Sequence, residues 1–121
     1  FITNEDYTFQ SPNGTLVLPD TGCITSAIRA CAQPREPTVF GKPSEQLKQY
    51  MKANFEINHN SAIMFGDRLD TDIMFGNQLG VDTCWMRTGV HTAEDVQRAQ
   101  DENEDDLVPQ FTFSFEHFYA Q

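Results

Sequence analysis

The sequence predicts a doubly wound α/β fold, and three observations carry that expectation. Short runs of β-branched and aromatic residues alternate with amphipathic stretches of helical period. Single helices between strands imply right-handed crossovers and a parallel sheet. Ligands of such sheets collect at the carboxyl ends of the strands. Here those ends are unusually polar: Gly41-Lys42-Pro43, then Gly66-Asp67-Arg68-Leu69-Asp70-Thr71-Asp72, then Arg87-Thr88-Gly89.

The elements follow in chain order. Residues 1–20 are rich in turn formers, with Ser11-Pro12-Asn13-Gly14 as a loop and Thr15-Leu16-Val17-Leu18 as a short strand stopped by Pro19. Ile24, Ala27, Ile28 and Cys31 recur at helical spacing behind a Thr21 N-cap until Pro34 ends the run, and they form the expected inner face. Cys23 is expected beside Cys31 in that core. A short strand at 37–40 leads through Gly41 to a helix at 44–54 with Leu47, Tyr50, Met51 and Phe55 inward. The apolar run 61–65 reads as a strand covered on both faces. A helix near 71–79, a strand over 82–86 and a polar helix over 92–100 come next. Thr92 caps the last of these, with Glu94 and Asp95 in its first turn. The acidic stretch 101–106 reads as a solvated linker, and 111–115 alternates as a final strand.

Composition narrows the function classes. The chain has 121 residues, one domain's worth, with 39% hydrophobic residues, as in a folded globular protein. Its 18 acidic residues face only 8 basic ones, scattered singly, for a net charge of -10. That excludes a counterion-releasing nucleic-acid surface and disfavours an anionic membrane. No apolar run approaches the roughly 18 residues of a bilayer span. Three cysteines without paired spacing point to a reducing compartment, the cytoplasm. The chain opens at Phe1-Ile2-Thr3-Asn4 without Met, so it is expected to be a piece of a longer protein.

The rim residues suggest a chemistry. Asp67 and Asp72, on a tight loop entering a helix, offer hard oxygens to Mg²⁺, which takes one or two protein carboxylates and keeps waters. Lys42 is a compact positive charge that can reach a phosphoryl oxygen. The plainer alternative is that the two aspartates only cap a helix and Lys42 is a solvated surface lysine. The histidines His59, His91 and His117 are too far apart for a local metal motif, and each is expected at the surface or in a loop. Trp85 and Cys84 read as strand packing.

At these residues a resemblance emerges. Gly41-Lys42-Pro43-Ser44, Met64-Phe65-Gly66-Asp67-Arg68-Leu69-Asp70-Thr71-Asp72-Ile73, Gly76-Asn77, Gly80-Val81-Asp82-Thr83 and Thr88-Gly89-Val90, in that order, resemble the haloacid dehalogenase (HAD) superfamily. Within it the match is to the p-nitrophenylphosphatase type, which includes phosphoglycolate and pyridoxal phosphatases. The resemblance implies a Rossmann-like parallel sheet with flanking helices, the C-terminal half of the family core. Residues 1–20 would be the end of an inserted cap domain with its return linker, and 21–121 the core portion. It implies a Mg²⁺-dependent phosphatase of small phosphorylated metabolites, with any self-association running through the cap. Lys42 matches the lysine of the third motif, which orients the nucleophile and contacts phosphate. Asp67 matches the metal ligand of the fourth motif, and Asp72 its second acid, supporting the metal shell or the lysine. The family's nucleophile and general acid/base, paired in an Asp-x-Asp-Gly motif, have no counterpart here. Asp70-Thr71-Asp72 has the spacing but runs on into Ile73-Met74 at a helix start. The chain alone is therefore expected to be inert. Two other classes stand beside this reading: a catalytically dead HAD-like binding or regulatory protein, and a receiver-type domain, whose lysine would have to follow the acidic loop rather than precede it.

Overall fold

A computed structural model of the chain describes residues 2–4, 6–11 and 14–114. The chain divides into two compact units, one ending at Leu47 and the other starting at Lys48.

In the first unit, β1 (Ile2–Thr3) pairs in parallel with β4 (Thr38–Val39), and β2 (Thr8–Gln10) pairs antiparallel with β3 (Val17–Pro19). The hairpin was not anticipated in a segment read mainly as turns. Helix α1 (Thr21–Ala32) packs on β1, β2 and β3. Its N-cap is Asp20, not the expected Thr21: the Asp20 carboxylate accepts from Thr21 N–H at 2.6 Å. Its docking face is also not the expected one. Gly22 and Thr25 are buried, whereas Ile24 and Ile28 are 64% and 48% exposed and Cys31 is exposed. Close approach is the reason. A Cβ at Gly22 would lie 3.0 Å from the Asp6 carbonyl oxygen, so the helix seats on the strands through its smallest residue. Thr25 then reaches the Thr3 hydroxyl at 2.6 Å. Cys23 is half-buried, its thiol donating to the Tyr7 carbonyl.

Helix α2 (Glu45–Asn54) contains the division between the units. Of its expected inner residues, Tyr50 is 47% exposed, and Phe55 just beyond it is 53% exposed. The second unit is built on a parallel sheet with strand order β5 (Ile63–Gly66), β6 (Asp82–Met86), β7 (Phe111–Phe113). Together with its flanking helices it gives the expected α/β architecture. Between β5 and β6 the chain makes a π-helical turn over Leu69–Ile73 and then α3 (Met74–Leu79), where a single helix was expected. Helix α4 (Ala93–Asp101) starts at the predicted Thr92 cap with a reciprocal capping box to Asp95. The acidic stretch is exposed but not a plain linker. It contains a 3-10 turn (Asp105–Leu107), and the Asn77 amide donates to the carbonyls of Asp106 and Val108 at 2.8 and 3.0 Å.

The core lies on one face of this sheet, where Leu69, Ile73 and Trp85 cluster with Val96 and Leu107 packed against them. The other face carries the register partners Phe65, Cys84 and Phe111. There Phe65 and Phe111 are 56% and 53% exposed, so β5 is not covered on both faces as its apolar run suggested. Cys84 is buried as expected, and burial pushes its thiol up. Among the described residues no helix is long and apolar enough to cross a membrane.

Candidate functional site

The site grows from the carboxyl end of β5. Gly66 closes the strand, and an added Cβ there would sit 2.1 Å from the Cβ of Asp72. Only glycine lets the chain fold Asp72 back against the strand end. Asp72 is 5% exposed, and its carboxylate accepts from Arg68 N–H at 3.2 Å. The turn between them is widened: Asp72 N–H and Ile73 N–H both donate to the Arg68 carbonyl, each at 3.1 Å. Such π-turns recur at functional sites because they re-aim side chains within a helix start.

Asp67 is half-buried at the head of this loop. The loop that follows β6 passes over its carboxylate, where a Cβ on Gly89 would lie 2.0 Å from Asp67 Oδ2. Only a glycine lets the neighbouring strand end approach that oxygen so closely. Arg68 forks onto Asp70, with Nε to Oδ1 at 3.0 Å and Nη2 to Oδ2 at 2.7 Å. Partial burial works to raise the Asp70 carboxyl, but the hydrogen bonds and charge of Arg68 hold it below its ordinary value.

Asp67 and Asp72 therefore share one loop in the second unit. Lys42 belongs to the first unit. It is exposed in the turn after β4, which is closed by Ser44 N–H donating to the Gly41 carbonyl at 2.8 Å. Gly41 is pressed onto Asn4, where a Cβ would lie 2.3 Å from the Asn4 Cβ. His59 faces the Gly80 carbonyl at 3.2 Å and so has the bland loop role expected of it. His117 lies outside the described residues. Two residues passed over in the sequence touch the loop: Trp85 Nε1 donates to the Asp67 carbonyl at 3.3 Å, and His91 Nδ1 accepts from Leu69 N–H at 3.1 Å. Nothing local marks either one, since both contacts span 18 residues or more.

Among the described residues no group of three or more His, Cys, Asp or Glu side chains is placed to hold a metal ion. What the loop offers is the carboxylate oxygens of Asp67 and Asp72. That donor set fits Mg²⁺, which needs few protein ligands and completes its shell with water and phosphate, better than it fits a closed zinc or calcium cage.

Known proteins share this fold. A family model described as HAD-hydrolase-like matches residues 39–112. The glycerol-3-phosphate phosphatase of Gallus gallus is 38% identical over 112 residues, covering 90% of this chain and 35% of that protein. The p-nitrophenyl phosphatase structure from Archaeoglobus fulgidus is 30% identical with a TM-score of 0.65, covering 91% of this chain and 41% of that one. A glycerol phosphate phosphatase of Mycobacterium tuberculosis in complex with magnesium is 31% identical with a TM-score of 0.65, covering 92% and 31%. The chain spans about a third or less of the length of the curated relatives it matches.

Proposed function

The chain belongs to the HAD-like hydrolases, and on that premise we propose that it forms part of a Mg²⁺-dependent phosphatase of small phosphate monoesters that works through an aspartyl-phosphate. The observation that carries the reading is Asp67: a half-buried carboxylate on the loop after a parallel strand, with Gly89 packed against it and its loop closed by buried Asp72. In this reading Asp67 is the metal ligand, Asp72 supports the metal shell or the lysine, and Lys42 orients the nucleophile and contacts the phosphate. Bound Mg²⁺ would supply charge neutralisation at the phosphoryl oxygens. Lys42 contributes a fixed positive charge, and the Gly66–Asp72 packing keeps the acidic loop from relaxing as charge builds.

The nucleophile and the general acid/base belong, in this proposal, to residues that this chain does not supply. The exposed Phe65 and Phe111 and the edge position of β5 among the described residues support it, since a further strand and covering helix would bury both. By the same reading this chain alone is inert. The free thiols of Cys23, Cys31 and Cys84 support a cytoplasmic setting. Residues 1–20 as cap tail and 21–121 as core is a proposal tested by limited proteolysis. A primary cut near residue 20 supports it, and a cut between Leu47 and Lys48, where the compact units divide, moves the junction.

The functional test uses the full-length phosphatase. Asp67→Asn is expected to abolish Mg²⁺-dependent hydrolysis of p-nitrophenyl phosphate, and Lys42→Ala to cut it by about a hundredfold or more. Full activity in either variant removes the assignment.

A further inference from the structure

The loop presenting Asp67 is held at three consecutive residues. Trp85 Nε1 donates to the Asp67 carbonyl, Arg68 N–H donates to the Asp72 carboxylate, and Leu69 N–H donates to His91 Nδ1. The middle contact is internal to the acidic motif. The outer two come from β6 and from the segment before α4, which lie outside it.

His91 is the more informative of the two. Its Nδ1 accepts, so the ring proton of the neutral imidazole sits on Nε2. The ring hangs one residue before Thr92, whose hydroxyl accepts from Asp95 N–H at 3.4 Å and whose N–H donates to Asp95 Oδ2 at 2.8 Å. That capping box fixes the backbone from which the imidazole projects. Val96, one residue beyond Asp95, packs against the cluster of Leu69, Ile73 and Trp85. Leu69 is thus gripped twice, its side chain by the core and its amide by His91. That amide is one of the donors a helix start leaves without an intrahelical partner. Without His91 it has no acceptor from the motif, and one of the contacts that hold the backbone two residues from Asp67 is lost.

We propose that His91 is a positioning residue that holds the Asp67 carboxylate in its metal-binding orientation through the Leu69 amide. The proposal rests on the reading of Asp67 as a Mg²⁺ ligand. Groups that orient a ligating residue are typically worth 10–100-fold in metal affinity. Asparagine is the informative replacement, because its Oδ1 occupies the place of the imidazole Nδ1 and accepts the same hydrogen bond.

Two measurements on the labelled full-length phosphatase test it. The first is NMR detection of scalar coupling through the hydrogen bond between the Leu69 amide nitrogen and His91 Nδ1. The second is calorimetric titration with Mg²⁺ alone of the wild type, His91→Ala, His91→Asn and Asp67→Asn. The expected result is a resolved coupling, loss of Mg²⁺ binding in Asp67→Asn, affinity lower by about tenfold or more in His91→Ala, and affinity close to wild type in His91→Asn. An absent coupling overturns the proposal. So does wild-type affinity in His91→Ala when Asp67→Asn has lost binding; in that case the metal assignment survives. If Asp67→Asn binds Mg²⁺ as the wild type does, the metal assignment has failed and the role of His91 falls with it. Should His91→Ala not fold, His91→Leu keeps the bulk, removes the acceptor and is held to the same expectation.

Discussion

The two compact units both form helices and strands but bury very different things. Every buried apolar side chain among the described residues lies between Leu69 and Ala99, in the second unit, whereas the first buries only Gly22 and Thr25. Polar contacts hold the first unit: the β2–β3 ladder, the Thr3–Thr25 hydroxyl pair, and Gly22 N–H donating to the Asp6 carbonyl. Each contributes about 1 kcal/mol net. In the second unit the fully sequestered Ile73, Leu69 and Trp85 contribute about 1.5–3 kcal/mol apiece. Helices and strands arise from local signals in both units, but a core arises only where a sheet face is covered. The acidic loop starts at the edge of that core, and this gives its aspartates a rigid base.

The largest effects should separate the units most sharply. Ile73→Ala should cost about 2–5 kcal/mol in chemical denaturation, against about 0.5 kcal/mol or less for the exposed Ile28→Ala. Equal losses would break the comparison. Next comes Gly66→Ala, where the new methyl meets Asp72 and should cost about 1–3 kcal/mol. A matching drop in Mg²⁺ affinity would tie that packing to the site. Thr83→Val removes a fully buried hydroxyl bonded to Asn77 at 3.1 Å and Gln110 at 2.6 Å, and a loss of about 1–3 kcal/mol in thermal melting is expected. Thr92→Ala deletes the α4 cap for about 1 kcal/mol. Amide exchange would show whether that loss stays within α4 or spreads toward Leu69.

The smallest effect is electrostatic. Asp70 has its folded-state carboxyl lowered, so its contribution is present above the ordinary carboxylate value of 3.8 and is lost as pH falls through the folded value. Asp70→Asn should therefore lower stability slightly near neutrality, and the difference should vanish in acid. A difference that instead grows below pH 4 would reverse the sign assigned to the Arg68–Asp70 pair.

The legible elements were those whose signals are local. Helix α4 announces itself through Thr92, Glu94 and Asp95, and β6 through Cys84-Trp85-Met86 after the Gly80 turn. Helix α1 was legible as a helix, but neither its cap nor its buried face was. Thr21 and Asp20 are both good caps, and the choice depended on which oxygen met the Thr21 amide. The apolar stripe of Ile24, Ile28 and Cys31 predicted the wrong face because docking distance, not apolarity, selected Gly22 and Thr25.

For the site, the sequence by itself determined the motif chemistry: a loop carrying Asp67 and Asp72 after a short strand, and a lysine after an earlier one. Residue identity and spacing along the chain suffice for that. Only the tertiary structure decided which atoms hold the loop. Trp85 and His91 reach it across the sheet and from the start of α4, Gly89 leaves room for a carboxylate oxygen, and Asp72 turns inward because Gly66 has no side chain. Those contacts join residues distant in sequence, and a hydrogen bond or a missing methyl acts only through the few ångströms that folding creates.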